Sequence, residues 1–186
     1  MCFIAQRKSS FNVKSPRSFL HIGSWNVQGL SNKCLDSDFV RVINNFDIAC
    51  IQETWLSSSH NVCLNGYSYF RSDRNTRHRR SKRAAGGTVD FFKSSLKKGV
   101  QKLGSKISDF LWIKLDRKVF SLNKDIFICC VYIPPQGSVM HIGKEYFETL
   151  QSEMLYYSVL GDVILLGDFN ARTGGLQDFI KYDDIT

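Results

Sequence analysis

The apolar residues of this chain fall into short runs, at residues 20–22, 48–51, 67–70, 88–92, 110–115, 126–133 and 163–166, separated by polar and glycine-bearing stretches. Runs of this length, rich in Ile, Val, Phe and Tyr, predict strands. Several are apolar at successive positions, the pattern of strands covered on both faces. Two segments have helical spacing instead. After Asp36 or Ser37 as N-cap, Phe39, Val40, Ile43 and Phe46 recur on one face. Residues 144–160 place Phe147, Leu150, Met154 and Leu155 on one stripe, with Gly161 to end the helix. Strands outnumber helices and do not alternate strictly with them, so the pattern predicts an α/β fold of two packed sheets with helices outside. Residues 1–18 show no period and are expected to form a flexible basic extension, leaving 19–186 as the domain.

Composition narrows the partners. With 186 residues, 43% of them apolar and 13% aromatic, the chain can bury one sizeable core. A formal charge of +8 favours a polyanion, because Lys and Arg release counterions when they neutralise phosphates. The charge by itself does not separate DNA from RNA or an anionic membrane. The six cysteines show no C-x-x-C spacing and no histidine at a zinc-ligand interval, so they are read as free thiols of a reducing compartment. The N-terminus lacks a signal-peptide core and the longest apolar run, 126–133, cannot span a bilayer. The expectation is an intracellular protein, nuclear or cytoplasmic, with no membrane association and no obligate protein partner.

Chemistry sits at the strand ends. The run at 163–166 leads into Gly167-Asp168-Phe169-Asn170. If the chain stays extended, Asp168 and Asn170 project the same way and offer one site a proton acceptor and a neutral donor. The same residues also make an ordinary turn, since Asp and Asn bond nearby backbone and tolerate left-handed conformations. Three further runs end in Ser24-Trp25-Asn26-Val27, Ile51-Gln52-Glu53-Thr54 and Val131-Tyr132-Ile133-Pro134-Pro135. A carboxylate such as Glu53 is the hard oxygen ligand that Mg2+ takes in ones and twos, or simply an exposed loop acid. Tyr132 precedes two prolines that fix how the chain leaves the sheet, although a tyrosine there is more often core packing.

Taken in order, Trp25-Asn26 with Gly29-Leu30, Gln52-Glu53-Thr54-Trp55, Gly86-Gly87, Tyr132-Ile133-Pro134-Pro135 and Gly167-Asp168-Phe169-Asn170 resemble the endonuclease/exonuclease/phosphatase superfamily. The likeness is greatest to the endonuclease domain of non-LTR retrotransposons and covers about residues 19–180. The resemblance implies a four-layer sandwich of two mixed β-sheets flanked by helices, with its site along one edge. It implies Mg2+, with Mn2+ as an alternative, held by Glu53 with Asn26 beside it. Tyr132 then donates to the scissile phosphate, Asp168 activates or orients the attacking water, and Asn170 holds phosphoryl oxygens.

The chain departs from the family in two places. The family's late Ser-Asp-His motif has no counterpart after Asn170, and none of His21, His60, His78 or His141 follows that residue. The reading is therefore a domain incomplete at its C-terminus, whose own turnover is in question. Asp90 stands where the family has an apolar residue; it either faces solvent or marks a decayed copy.

A basic segment carries Arg71, Arg74, Arg77, Arg79, Arg80, Lys82 and Arg83 against Asp73 alone. It is a solvated loop, a nuclear-localisation patch, or a phosphate-gripping loop in which Arg74, Arg77, Arg79 and Arg80 bind DNA. The function expected is metal-dependent phosphodiester hydrolysis by a retrotransposon-derived endonuclease domain. The alternatives are a non-catalytic nucleic-acid-binding remnant and a small-molecule or lipid phosphatase of the same superfamily.

Overall fold

The computed structural model describes residues 3–8, 19–57, 59–73, 86–138 and 141–171. Strands β1 (Phe3–Lys8), β2 (Phe19–Asn26), β3 (Ile48–Gln52), β4 (Tyr67–Ser72) and β5 (Thr88–Lys93) form a five-stranded sheet in the order β1-β2-β3-β5-β4. A second sheet takes β6 (Val100–Leu103), β7 (Phe110–Leu115), β8 (Asp125–Tyr132) and β9 (Gly161–Asp168) in sequence order. Both sheets are mixed: β2–β3 and β8–β9 are parallel and every other pair is antiparallel. Two strands, β1 and β6, escape the hydrophobic pattern. The first pairs Phe3–Lys8 with Phe19–Ser24, and the second is short and half polar (Val-Gln-Lys-Leu).

Each parallel pair needs a crossover, and each has a helix in it. Helix α1 (Ser37–Ile43) joins β2 to β3, with the Asp36 carboxylate accepting from the Asp38 and Phe39 backbone N–H groups as N-cap. Its Phe39 and Ile43 pack with Phe46, Ala49, Ile51 and Phe91 on the outer face of the first sheet. A short helix, α2 (Arg117–Phe120), is capped by Asp116 between β7 and β8. Helix α3 (Glu145–Leu160) joins β8 to β9 and covers the outer face of the second sheet, where Tyr146 and Leu150 meet Trp112, Phe127, Cys129 and Val131. Its buried side keeps Leu150 of the expected stripe but is rotated away from the rest of it. Phe147 and Leu155 are exposed, while Tyr146, Leu150 and Tyr157 pack inward. Glu153 fixes that rotation, accepting from Trp112 Nε1 at 2.8 Å, from Ser105 Oγ at 2.9 Å and from the Lys106 N–H at 3.0 Å.

The central layer lies between the sheets. Ile48 and Cys50 from β3, Phe92 from β5 and Ile126, Ile128 and Cys130 from β8 fill it, while the alternate residues of those strands face the helices. Burial on both faces explains runs without polar alternation. Four layers result, helix, sheet, sheet and helix.

Of the two alternatives for Asp90, the solvent-facing one is excluded: the side chain is fully buried in that central layer. Cys50 is its direct register partner. Burial pushes the Asp90 carboxyl up to about 7, against a smaller pull from the thiols of Cys50 and Cys130 and from the charge of Lys102. The thiols soften the cost, yet neither aligns as a hydrogen bond to either carboxylate oxygen.

Candidate active site at the ends of the two parallel strand pairs

The carboxyl ends of β2, β3, β8 and β9 come together at one edge, where open sheets with parallel strands place their ligands. Asn26 ends β2. Its Oδ1 accepts from the Gln28 N–H at 3.2 Å, which turns its amide nitrogen the other way. That Nδ2 donates to Glu53 Oε1 at 3.0 Å and to Asp168 Oδ2 at 2.7 Å. One amide thus joins the two sheets. The two carboxylate oxygens are no farther apart than those two bonds laid end to end.

Glu53 is held by its backbone. The 27–30 turn donates from Gly29 N–H to the Glu53 carbonyl at 2.7 Å and from Leu30 N–H to the Thr54 carbonyl at 2.9 Å. On the other side Thr54 and Trp55 donate to the Gly87 and Gly86 carbonyls. Gly87 has φ of +84°, and a Cβ there would stand 2.7 Å from Thr54 Oγ1, so the glycine pair lets the chain pass close to the Glu53 turn. Gln28, Glu53, Trp55 and Asn170 all have positive φ, at 50°, 52°, 53° and 43°. Each such residue costs of order 1 kcal/mol or more, and four of them gather at this edge.

Asp168 is set by β8. Tyr132 is its register partner, and the Ile133 N–H donates to the Asp168 carbonyl at 2.9 Å. Gly167 makes the register achievable: its φ is +146°, and a Cβ would overlap the Val131 carbonyl. Tyr132 is buried, 6% exposed, and its N–H donates to the Asp109 carbonyl at 3.0 Å. Asp109, buried, also accepts from Tyr146 Oη at 2.7 Å. That link from α3 to the Tyr132 backbone had no sequence signal, because its two residues are 37 positions apart in unrelated elements.

The strand-end residues therefore divide. Asn26, Glu53 and Asp168 are joined directly, and Tyr132 lies beside Asp168 by register. Asn170 does not project alongside Asp168 as an extended chain requires. The strand ends at Asp168, and the left-handed Asn170 turns back, its N–H on Asp168 Oδ1 at 3.0 Å and its Nδ2 on the Ile133 carbonyl at 2.8 Å. The turn alternative for Gly-Asp-x-Asn is the one realised, and that turn braces the Asp168 carboxylate. Arg74, Arg77, Arg79 and Arg80 lie outside the described residues. Of the same segment, Arg71 pairs with Asp73 at 3.1 Å and donates to the His60 carbonyl.

Two carboxylates converging on one neutral amide form a hard oxygen donor set suited to a divalent cation. Residues 23–179 match the Endonuclease/Exonuclease/phosphatase family. The chain belongs to that family. Among solved structures, the catalytic domain of Xenopus laevis APE2 aligns with a TM-score of 0.61 at 19% identity, over 81% of this chain and 58% of that one. The 3′ phosphatase NExo from Neisseria, bound to a product DNA hairpin, aligns with a TM-score of 0.56 at 16% identity, over 81% and 58%. The endonuclease domain of TRAS1, a telomere-specific non-LTR retrotransposon, aligns with a TM-score of 0.48 at 16% identity, over 82% and 61%. The likeness to the first two shows a shared α/β sandwich, and the chain spans somewhat more than half the length of each. No curated protein matches the chain in sequence. Among the described residues, no helix is long and apolar enough to cross a membrane.

Proposed function

We propose that this family member hydrolyses phosphodiester bonds in DNA with a divalent cation, Mg2+ or Mn2+, as an endonuclease domain of retrotransposon origin. The observation that carries the reading is the Asn26 amide bridging Glu53 and Asp168 from opposite sheets. Glu53, with the Asn26 carboxamide beside it, would hold the cation, and Asp168 stands next to it across the same amide. When bound, it supplies Lewis-acid charge stabilisation at the phosphate oxygens.

The protein groups have separable tasks. Asn26 keeps two like charges at a fixed separation without neutralising either. Asp168, braced by the Asn26 amide and the Asn170 N–H, accepts the proton of the attacking water. Tyr132 brings a phenol beside it as donor to a phosphoryl oxygen, and the Asn170 turn keeps Asp168 from swinging away. The charge of +8, the Arg74, Arg77, Arg79 and Arg80 segment, and the DNA hairpin held by NExo favour DNA as the polyanion.

Plasmid nicking tests the reading: open circles are expected with Mg2+, none with EDTA, and none from Asp168→Ala. Cleavage that survives Asp168→Ala, or no cleavage by the folded chain, overturns it. A second reading, DNA binding without turnover, is favoured by the histidines. Among the described residues, those with side-chain partners bond elsewhere, His60 to Ser57 and His141 to the Gly143 N–H. It predicts salt-sensitive binding with no nicks.

A further inference from the structure

The central layer of the sandwich holds a second donor set that the hydrolytic site does not use. Cys50 on β3, Asp90 opposite it on β5 and Cys130 on β8 are each wholly buried, and one ligand atom from each lies within 4.8 Å of the others. Two come from one sheet and the third from the other. Around them are Ile48, Phe92, Ile128 and Leu166, an apolar shell in which an unpaired carboxylate is expensive. Both Asp90 oxygens lack a hydrogen-bond partner. Cys130 Sγ, in contrast, accepts from Gln52 Nε2 at 3.0 Å, and the Gln52 amide is itself held by Ser24 Oγ and the Cys50 carbonyl.

We propose that Cys50, Asp90 and Cys130 form a structural site for a thiophilic divalent cation, Zn2+ foremost, that ties the two sheets together. Two sulfurs and one carboxylate select a borderline-soft ion over Mg2+ or Ca2+. With both Asp90 oxygens available, the carboxylate can chelate and complete four-coordination without water, as a closed structural site requires. Two sulfurs on one tetrahedral zinc stand about 3.8 Å apart, given Zn–S bonds of about 2.3 Å. The ligand atoms already lie within 4.8 Å of one another, so loading needs at most about 1 Å of closure to reach that separation, within reach of side-chain torsions. Binding exchanges the two thiol protons and the Asp90 proton for the ion, and the released protons leave to solvent. The Gln52 N–H on Cys130 Sγ then stabilises thiolate charge as an outer-shell donor.

Because the site is sealed, the ion enters as the chain folds. The full chain is refolded under reducing conditions with Zn2+ or with Co2+, desalted, and read by elemental analysis, thermal unfolding and absorption spectroscopy. One Zn2+ per chain, a raised Tm, and intense sulfur-to-cobalt charge-transfer bands are expected. An oxygen-only site such as Glu53–Asp168 gives no such bands, so the readout is independent of hydrolysis. Asp90→Asn, nearly isosteric and neutral, should keep the fold and lower Co2+ affinity at least tenfold, and Cys130→Ser should abolish the bands. Cys34→Ala and Cys63→Ala should leave them intact. Folded wild-type chain, verified by circular dichroism, that carries no metal and shows no thiolate bands overturns the proposal. So do bands that persist at full affinity in Asp90→Asn or Cys130→Ser.

Discussion

Asn26 and Asp168, 142 residues apart and on different sheets, meet through a 2.7 Å hydrogen bond from Nδ2 to Oδ2. The same nitrogen reaches Glu53, so one neutral side chain sets the distance between the acids of the site. A carboxamide suits this place because it donates two N–H groups without cancelling either negative charge.

Asn26→Ala should loosen both carboxylates while leaving them present. The concentration of Mg2+ giving half-maximal nicking is expected to rise about 10- to 100-fold, the range for removing a group that orients metal ligands. Asp168→Ala should instead lower the rate at saturating Mg2+ by about 10²- to 10⁴-fold. A metal titration of the nicking rate separates the two effects, and an equal reduction at all Mg2+ concentrations for Asn26→Ala would remove its assigned role.

Gly167→Ala places a methyl group on the Val131 carbonyl in a backbone conformation that side chains rarely adopt. Strain at such positions costs about 1–3 kcal/mol, and relief by moving β9 would displace Asp168. Urea denaturation should show stability reduced by at least about 2 kcal/mol, within that range, accompanied by weaker nicking. A variant as stable as wild type would show that β9 can shift along β8 at no cost.

Asp125 should give an acid-side signature. The Arg117 backbone N–H, donating to its Oδ1 at 2.8 Å, holds its carboxyl below the ordinary value of 3.8, outweighing burial, and the Lys114 ammonium at 3.1 Å adds to the effect. With its folded pKa depressed, the contribution is fully present above the ordinary carboxylate range and disappears as pH falls through the folded value. Asp125→Asn should be less stable than wild type by about 1 kcal/mol at neutral pH, a figure discounted for partial solvent screening. The gap should close in strong acid in a series of urea melts, and a gap independent of pH would refute the assignment.

Replacing Arg74, Arg77, Arg79 and Arg80 with Gln should weaken DNA binding uniformly across sequences. The slope of log affinity against log salt should flatten by about 0.9 for each phosphate that is no longer neutralised. An unchanged slope assigns the segment to solvated surface.

How much of this is legible in the chain differs element by element. Phe110–Leu115 reads directly as a strand because every position is apolar or amphipathic, and a cap at Asp36 or Ser37 reads from the helical period that follows, the structure choosing Asp36. The face of α3 is not legible in the same way. Leu150 fits a stripe with Phe147 and Leu155 as well as one with Tyr146 and Tyr157, and what decides between them is Glu153 finding Trp112 from another element. β6 gives no apolar signal because an edge strand need not bury both faces, and Gln101 and Lys102 stay exposed.

The sequence by itself determined which polar side chains stand at strand ends: Asn26, Glu53 and Asp168 each follow an apolar run, since a polar group is tolerated where the sheet meets water, while Tyr132 closes such a run and stays buried. Tertiary structure decided everything that depends on separation in space. It joined Asn26 to Asp168, turned Asn170 back onto Ile133, and brought Cys50, Asp90 and Cys130 from three strands into one buried cluster. Periodicity records which face a residue takes within its own element, whereas the pairing of faces between elements is set only when the two sheets pack.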